Sequence, residues 1–159
     1  MNKEKRLVVA CLGLPIRHDR KFLLSQRNMP GSPDFHDKWQ IAGGGVEFGE
    51  TTEDTVLREL KEELQAEVEI VYPQPFVLTR LYSHTEHNNQ VEPDSHLILI
   101  IYLVRILNQP TSVTLDEETK AMAWYSKEEV LQLDCLPGCH EVIESAYQVA
   151  EREQLFDQV

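Results

Sequence analysis

Apolar residues run almost unbroken from Leu7 to Ile16 (LVVACLGLPI), several of them β-branched, which predicts a buried strand with Pro15 near its end. The polar turn RHDRK follows, and FLLSQR (Phe22 to Arg27) reads as the strand returning, so the two form a hairpin. Residues 28–38 (NMPGSPDFHDK) carry the Pro, Gly and Asp of a loop, and WQIAGGG is a short apolar piece running into three glycines. From Thr51 to about Gln65 the period changes from two to 3.6. Val56, Leu57, Leu60 and Leu64 make an apolar stripe at helical spacing, and Thr51 with Asp54 three residues on reads as a capping box. AEVEIVYPQPFVLTRLYS returns to strand, interrupted by Pro73 and Pro75. Ser95 to Leu107 (SHLILIIYLVRIL) is the strongest strand, apolar nearly throughout, and is expected to be central with both faces covered. AMAWYS is a further strand and KEEVLQL a short helix. HEVIESAYQVAEREQLF is an amphipathic helix with Val142, Ile143, Ala146 and Ala150 inward. Strands on both sides of one early helix, with a second helix late, predict one α/β layered domain with a mixed sheet over residues 1–159.

Composition narrows the function classes. A formal net charge of −12 over 159 residues repels nucleic acid and anionic membrane. It permits a small anionic substrate if a cation neutralises the contact. The three cysteines, Cys11, Cys135 and Cys139, are odd in number and loosely spaced, which speaks for a reducing compartment rather than a disulfide framework. Two thiols with His140 make a poor zinc site. The N-terminal stretch lacks a signal-peptide core and no run reaches membrane-span length, so a cytoplasmic location is expected.

The chemistry concentrates on the early helix. Residues three and four apart share a helix face, so Glu59, Glu62 and Glu63 converge, although like charges at that spacing cost stability. An acidic helix is usually a solvated face, here helped by Arg58 and Lys61. Two neighbours favour a site instead. Glycines at 43, 44 and 45 allow a sharp turn and close approach of backbone carbonyls. Glu50 and Arg58 sit where a bidentate pair would pin the loop onto the helix. Clustered carboxylates with a carbonyl are the hard oxygen donors that Mg²⁺ or Mn²⁺ prefers.

Gly44, Glu50, Arg58, Glu59, Leu60, Glu62 and Glu63 match G-x5-E-x7-R-E-U-x-E-E-x-G-U (U aliphatic) at every one of those positions. The chain therefore resembles the Nudix hydrolases, MutT-like members among them. KFLLSQR and WQIAGGG are similar to the family's strand and W-x-x-P-G-G segment, and EETKAMAWYS to its later E…W segment. Gln65 stands where the pattern has Gly, Ala66 where it has an aliphatic residue, and Ala42 where a Pro often precedes the two glycines. The resemblance implies an α/β/α sandwich with a mixed central sheet. It also implies an enzyme that cuts a pyrophosphate bond in a nucleoside diphosphate derivative with a divalent metal. Carried over by position, Glu59, Glu62, Glu63 and the Gly43 carbonyl would hold Mg²⁺ or Mn²⁺, with Glu50 and Arg58 fixing loop to helix. Glu118, six residues before Trp124, matches a loop Glu that completes the metal site, with Glu117 its neighbouring alternative. The general base is open among Glu59, Glu63 and the loop Glu.

The wording GGGVEFGET looks most like the branch that cleaves nucleoside triphosphates to monophosphate and pyrophosphate. ADP-ribose, nucleotide sugars, dinucleoside polyphosphates and a non-catalytic nucleotide sensor stay as alternatives, although sensors of this fold usually lose acidic positions kept here. Phe35, Trp39 and Tyr82 are candidate stacking surfaces for a base, and Arg27 and Arg80 candidate phosphate contacts. A homodimer fits the family, with the apolar strand from Leu97 to Leu107 serving as core or interface.

Overall fold

A computed structural model describes residues 6–82, 95–108 and 117–159. The first apolar run forms β1 (Arg6–Arg17), and the polar turn, closed by the Arg20 N–H on the Arg17 carbonyl (2.9 Å), returns the chain as β2 (Lys21–Arg27). After the loop come two short strands, β3 (Trp39–Gln40) and β4 (Ala42–Gly45). The helical stripe becomes α1 (Thr52–Leu64), started by the expected capping box: Thr51 Oγ1 accepts from the Asp54 N–H, and the Asp54 carboxylate accepts from the Thr51 N–H.

Pro73 and Pro75 divide the next apolar segment, since neither can donate to a ladder. The result is two strands, β5 (Val68–Ile70) and β6 (Phe76–Tyr82), both antiparallel to one edge of β7 (Ser95–Ile106). β8 (Thr119–Ser126), the single-turn α2 (Lys127–Val130), α3 (Cys139–Arg152) and a 3₁₀ turn at Leu155–Asp157 complete the chain's order. Gln154, in a left-handed conformation, separates the last two, so the expected late helix is divided there.

β1 and β7 are parallel over ten residue pairs, while β4, β5, β6, β3 and β8 pair antiparallel with their neighbours, giving the mixed sheet. β1 has three partners: β7 from Arg6 to Pro15 on one edge, and on the other β4 from Ala10 to Gly13 and then β2 at Ile16 and Arg17. Helices cover both faces. Val56, Leu60 and Leu64 of α1 pack with Cys11, Tyr102 and Val104, while Ile143, Ala146 and Ala150 of α3 pack with Leu14, Phe22, Ile101 and Leu103. The inward set foreseen for α3, Val142, Ile143, Ala146 and Ala150, is buried.

Two expectations need correction. Leu57 is 42% exposed and Thr55 is buried in its stead, because the Thr55 hydroxyl is satisfied by the Thr51 carbonyl (3.1 Å) and the Glu50 carboxylate (2.9 Å). β7 is central, but only Ile101 to Val104 are buried; every described position from Ser95 to Ile100 is partly or fully open. α1 begins at Thr52, whose hydroxyl meets the Tyr102 hydroxyl at 2.8 Å, so among the described residues no helix lies over the sheet beyond Tyr102 on that face.

Candidate active site

β4 carries the glycine run alongside α1. Gly43 has φ +143°, and a Cβ there would lie 2.3 Å from the Cys11 carbonyl oxygen, so no other residue fits. A Cβ on Gly44 would meet the Glu59 carboxyl group at 2.6 Å. The missing side chain is therefore the space in which Glu59 lies. The Gly43 N–H donates to Glu63 Oε2 at 3.1 Å, which brings a second carboxylate of the helix to the same strand.

Arg58 ties the loop to the helix. Its Nε donates to Glu50 Oε1 (2.6 Å), and its Nη2 donates to Glu50 Oε2 (3.1 Å) and to the Gly45 carbonyl (3.1 Å). Its Nη1 reaches Glu59 Oε1 (2.6 Å) and Glu62 Oε2 (3.4 Å). Charge-assisted, forked bonds of this kind fix geometry as well as charge. Glu50 also accepts from Thr55 and from the Glu47 N–H (3.2 Å). With Arg58 the main cause and those two donors adding to it, the Glu50 carboxyl is held at about 2, below its ordinary 4.5. The same carboxylates push the Arg58 guanidinium further above its already high range.

A carboxyl whose folded value is depressed contributes stability that is present above its unfolded value and is lost as pH falls through the folded one. For Glu50 that window runs from 4.5 down to about 2. Glu50→Gln is expected to show a shallower loss of stability across that window than the natural chain, measured as urea midpoints at stepped pH. Equal slopes would show that the Arg58 contact does not act on folding.

Glu59, Glu62 and Glu63 lie on one side of α1, with Glu59 nearly buried and Glu62 exposed. Arg58 Nη1 bridges Glu59 and Glu62, while Glu63 is turned to Gly43. In this arrangement no three acidic, His or Cys side chains among the described residues converge tightly enough to hold an ion.

A cleft of ≈ 250 Å³ opens beside the same glycines. Gly43 and Gly44 form its edge, Leu12, Leu78, Leu97 and Leu99 its apolar wall, and Arg27 and Gln40 its polar corner, with Phe35 and residues 136–138 opposite. Arg27 Nη1 donates to Gln40 Oε1 at 3.0 Å and its guanidinium lies 5.7 Å from the Phe35 ring centroid. Arg27 and Phe35 thus come together as candidates, and among the described residues that line the cleft Arg27 is the only charged side chain.

Trp39, Arg80, Glu117 and Glu118 are not among the residues lining the cleft. Trp39 packs edge-on against Tyr125 (5.0 Å, 83°) and joins the main core. Arg80 pairs with Glu141 and bonds the Thr79 carbonyl (3.0 Å). Glu118 lies at the start of β8, its carbonyl accepting from the Asn28 N–H (2.6 Å), and the Glu117 carbonyl accepts from the Asn28 side chain (3.0 Å). The Tyr82 side chain lies outside the described residues. Leu78, Leu97, Leu99 and Gln40, which no motif singles out, line the cleft; alternation along β7 puts Leu97 and Leu99 on one face, a weak signal inside an unbroken apolar run.

A sequence model of the NUDIX domain matches residues 5–145. The chain belongs to this family. It is a Nudix hydrolase, an enzyme of the pyrophosphohydrolase type. The nucleoside triphosphatase NudI of Enterobacter sp. (strain 638) is 32% identical over 101 residues, which are 63% of this chain and 70% of that protein. A MutT Nudix hydrolase from Burkholderia pseudomallei superposes with TM-score 0.63 at 24% identity, covering 87% of this chain and 97% of the other. The MutT protein from Methanosarcina mazei Go1 gives 0.61 at 22%, covering 96% and 99%. Among the described residues, no helix is long and apolar enough to cross a membrane.

The Nudix pattern's last glycine is Gln65 here, and Gln65 takes the left-handed conformation a glycine would take (φ 52°, ψ 28°), its N–H returning to the Leu60 carbonyl. The helix therefore ends in place, at a backbone cost of about 1 kcal/mol for a residue with a Cβ. Gln65 is exposed, so little packing is lost with its side chain. Gln65→Gly is expected to raise Tm by about 2–4 °C for a chain of this size, read by thermal denaturation. An unchanged or lower Tm would show that the left-handed cap is not strained.

Proposed function

We propose that this Nudix hydrolase cleaves nucleoside triphosphates to monophosphate and pyrophosphate, acting as a single domain over residues 1–159. The observation that carries the reading is the shared edge: Gly43 and Gly44 border the cleft and also back the carboxylates of α1. A base seated among Leu78, Leu97, Leu99 and Phe35 has its phosphates directed toward Glu59, Glu62 and Glu63. The relative named a nucleoside triphosphatase supports the same class.

The donor set fits a divalent cation. Three carboxylates on one helix face and the Gly43 carbonyl are hard oxygen donors, and Arg58 Nη1 now supplies the positive charge between Glu59 and Glu62 that an ion would supply. We assign Mg²⁺ or Mn²⁺ to Glu59, Glu62, Glu63 and the Gly43 carbonyl, with Glu118 the loop candidate to complete the set. A divalent ion held by these residues would supply charge neutralisation at the phosphates and acidify the attacking water.

The chain's own residues do the rest. Glu50 and Arg58 hold the loop on the helix, so the carboxylates keep their spacing as charge changes around them. Gly44 leaves room for Glu59, and the Gly43 N–H fixes Glu63; either carboxylate is placed to take the proton of the attacking water. Arg27 is placed to meet the substrate at the polar corner, oriented by Gln40. Phosphoryl chemistry needs little beyond this positioning and charge stabilisation.

The test is a panel of nucleoside triphosphates, ADP-ribose, nucleotide sugars and dinucleoside polyphosphates, assayed for phosphate and pyrophosphate release with and without Mg²⁺. Pyrophosphate release from a triphosphate, dependent on Mg²⁺, is the expected result. Turnover confined to another class would replace the substrate assignment, and tight binding with no turnover would make the protein a sensor.

A further inference from the structure

Cys135 and Cys139 bracket Leu136, Pro137 and Gly138, a stretch that walls the cleft but takes no part in the reaction above. Backbone bonds hold it in place. The Trp39 N–H donates to the Asp134 carbonyl (2.9 Å) and the Leu136 N–H to the Trp39 carbonyl (2.9 Å), so Cys135 lies paired against Trp39. The Cys139 N–H returns to the Leu136 carbonyl (3.1 Å), and Gly138 turns the chain at φ +90° into the first residue of α3. That turn brings the two side chains into contact. The Cys139 thiol donates to the Cys135 sulfur, and the His140 ring, whose Nε2 lies 3.1 Å from the Leu133 carbonyl, is a second partner of Cys135. The two sulfurs differ in character. Cys135 is partly exposed, and these partners, the Cys139 thiol foremost, hold its thiol at about 7, below its ordinary 9.0. Cys139 is buried, and donation to Cys135 together with burial keeps its own thiol protonated. Cys11, the third cysteine, is fully buried, and burial pushes its thiol up.

We propose that Cys135 and Cys139 form a modification site, a dithiol that hydrogen peroxide oxidises to an intramolecular disulfide within the cleft wall. Position assigns the roles. Cys135, partly open and beside His140, is the attacking sulfur; Cys139, buried and already in contact with it, is the resolving one. The Cys135 thiolate attacks one peroxide oxygen, the O–O bond breaks and hydroxide leaves, giving a sulfenic acid at Cys135. The Cys139 sulfur then attacks the Cys135 sulfur. The S–S bond forms, the S–O bond breaks, and the hydroxide leaves with the Cys139 proton as water. Together the two thiols lose two electrons and two protons, and the peroxide takes them up to become two waters. A dithiol reductant reverses the step by exchange. The consequence for the cleft follows from what the ring encloses. Leu136, Pro137, Gly138 and Cys139 all line the cleft, and a Cβ on Gly138 would stand 2.2 Å from Leu78 Cδ2 of the apolar wall. Drawing the sulfurs from hydrogen-bond contact into a covalent bond shifts this stretch against Leu78. On the reading that the cleft seats a base, oxidation therefore weakens substrate binding.

Thiol counting and mass spectrometry on the full chain, reduced and then treated with hydrogen peroxide, test the site without any substrate. The reduced chain has three thiols. After peroxide one is expected to remain, Cys11, in a chain lighter by two hydrogens whose 135–139 peptide holds the bridge. Cys135 is expected to react at least about 10-fold faster than Cys11. Cys139→Ser is expected to stop at a sulfenic acid on Cys135, trapped by dimedone, and Cys135→Ser to leave Cys139 unreacted. The count on the natural chain stands whether or not these variants fold. Three thiols surviving peroxide overturn the proposal, as does a bridge that involves Cys11 or joins two chains. The link to the cleft is read in steady-state rates. Oxidation is expected to raise KM for the triphosphate about 10-fold with kcat little changed, and dithiothreitol to restore it. A disulfide that forms with KM unmoved overturns that link. A disulfide that forms in a chain with no triphosphate turnover in either state supports the site and counts against the substrate assignment alone.

Discussion

Glu62→Gln and Glu63→Gln are each expected to lower kcat by on the order of 10²-fold or more while the fold survives. The stability half follows from the contacts. Glu62 is exposed and meets only the far end of Arg58 at 3.4 Å. Gln at 63 keeps an oxygen to accept the Gly43 N–H, so the 3.1 Å bond that places the side chain is retained. What each variant removes is one negative charge and one hard donor at the position proposed for the cation. The loss should therefore appear in kcat at saturating Mg²⁺, with melting curves unchanged. A variant that melts normally and turns over normally would remove that residue from the reaction.

The paired glycines are expected to respond oppositely. Gly43→Ala puts a Cβ 2.3 Å from the Cys11 carbonyl and 2.6 Å from Leu12 Cα, on a backbone at φ +143°. Backbone cannot yield there cheaply, and the expected loss is about 3 kcal/mol or more, a Tm drop on the order of 10 °C. For Gly44→Ala the nearest atoms are the tip of the Glu59 side chain, which can swing away. Its Tm should fall far less than that of Gly43→Ala, by no more than the Arg58 contact that Glu59 gives up, yet Glu59 is displaced from its place behind Gly44, and a misplacement of that order lowers kcat by about 10²-fold. Thermal melts and steady-state rates on both variants separate the roles. A Gly44→Ala enzyme with normal kcat would show that Glu59 works equally well in another position.

How much of this was legible in the residues depended on distance along the chain. The capping box at Thr51, the pairing of Glu50 with Arg58 and the division at Pro73 and Pro75 are local, and local chemistry decides them. A four-letter apolar stripe that includes Leu57 cannot show that Thr55, with its hydroxyl satisfied by Glu50 and Thr51, is the better inward residue. An unbroken apolar run has no period to show where a helix stops, so the sequence cannot tell that the first half of β7 lies open on one face; Tyr102 meeting Thr52 reveals it. The cleft was the least legible. Its walls come from β1, β2, β6, β7 and residues 136–138, and no spacing in sequence brings Arg27 to Leu99. Gln65 lay between: the sequence marked a departure from the Nudix pattern, and only the backbone shows that the chain accepts the strain and keeps the geometry.

The most direct measurement is Mn²⁺ binding by the purified protein, followed by the loss of the free-ion electron paramagnetic resonance signal, for the natural chain and the Glu62→Gln/Glu63→Gln double variant. It needs no knowledge of the substrate. If the carboxylate face of α1 holds the ion, the natural chain takes up Mn²⁺ and the double variant binds it about 100-fold more weakly with its fold intact. A double variant that binds Mn²⁺ with the natural stoichiometry and affinity would contradict the account.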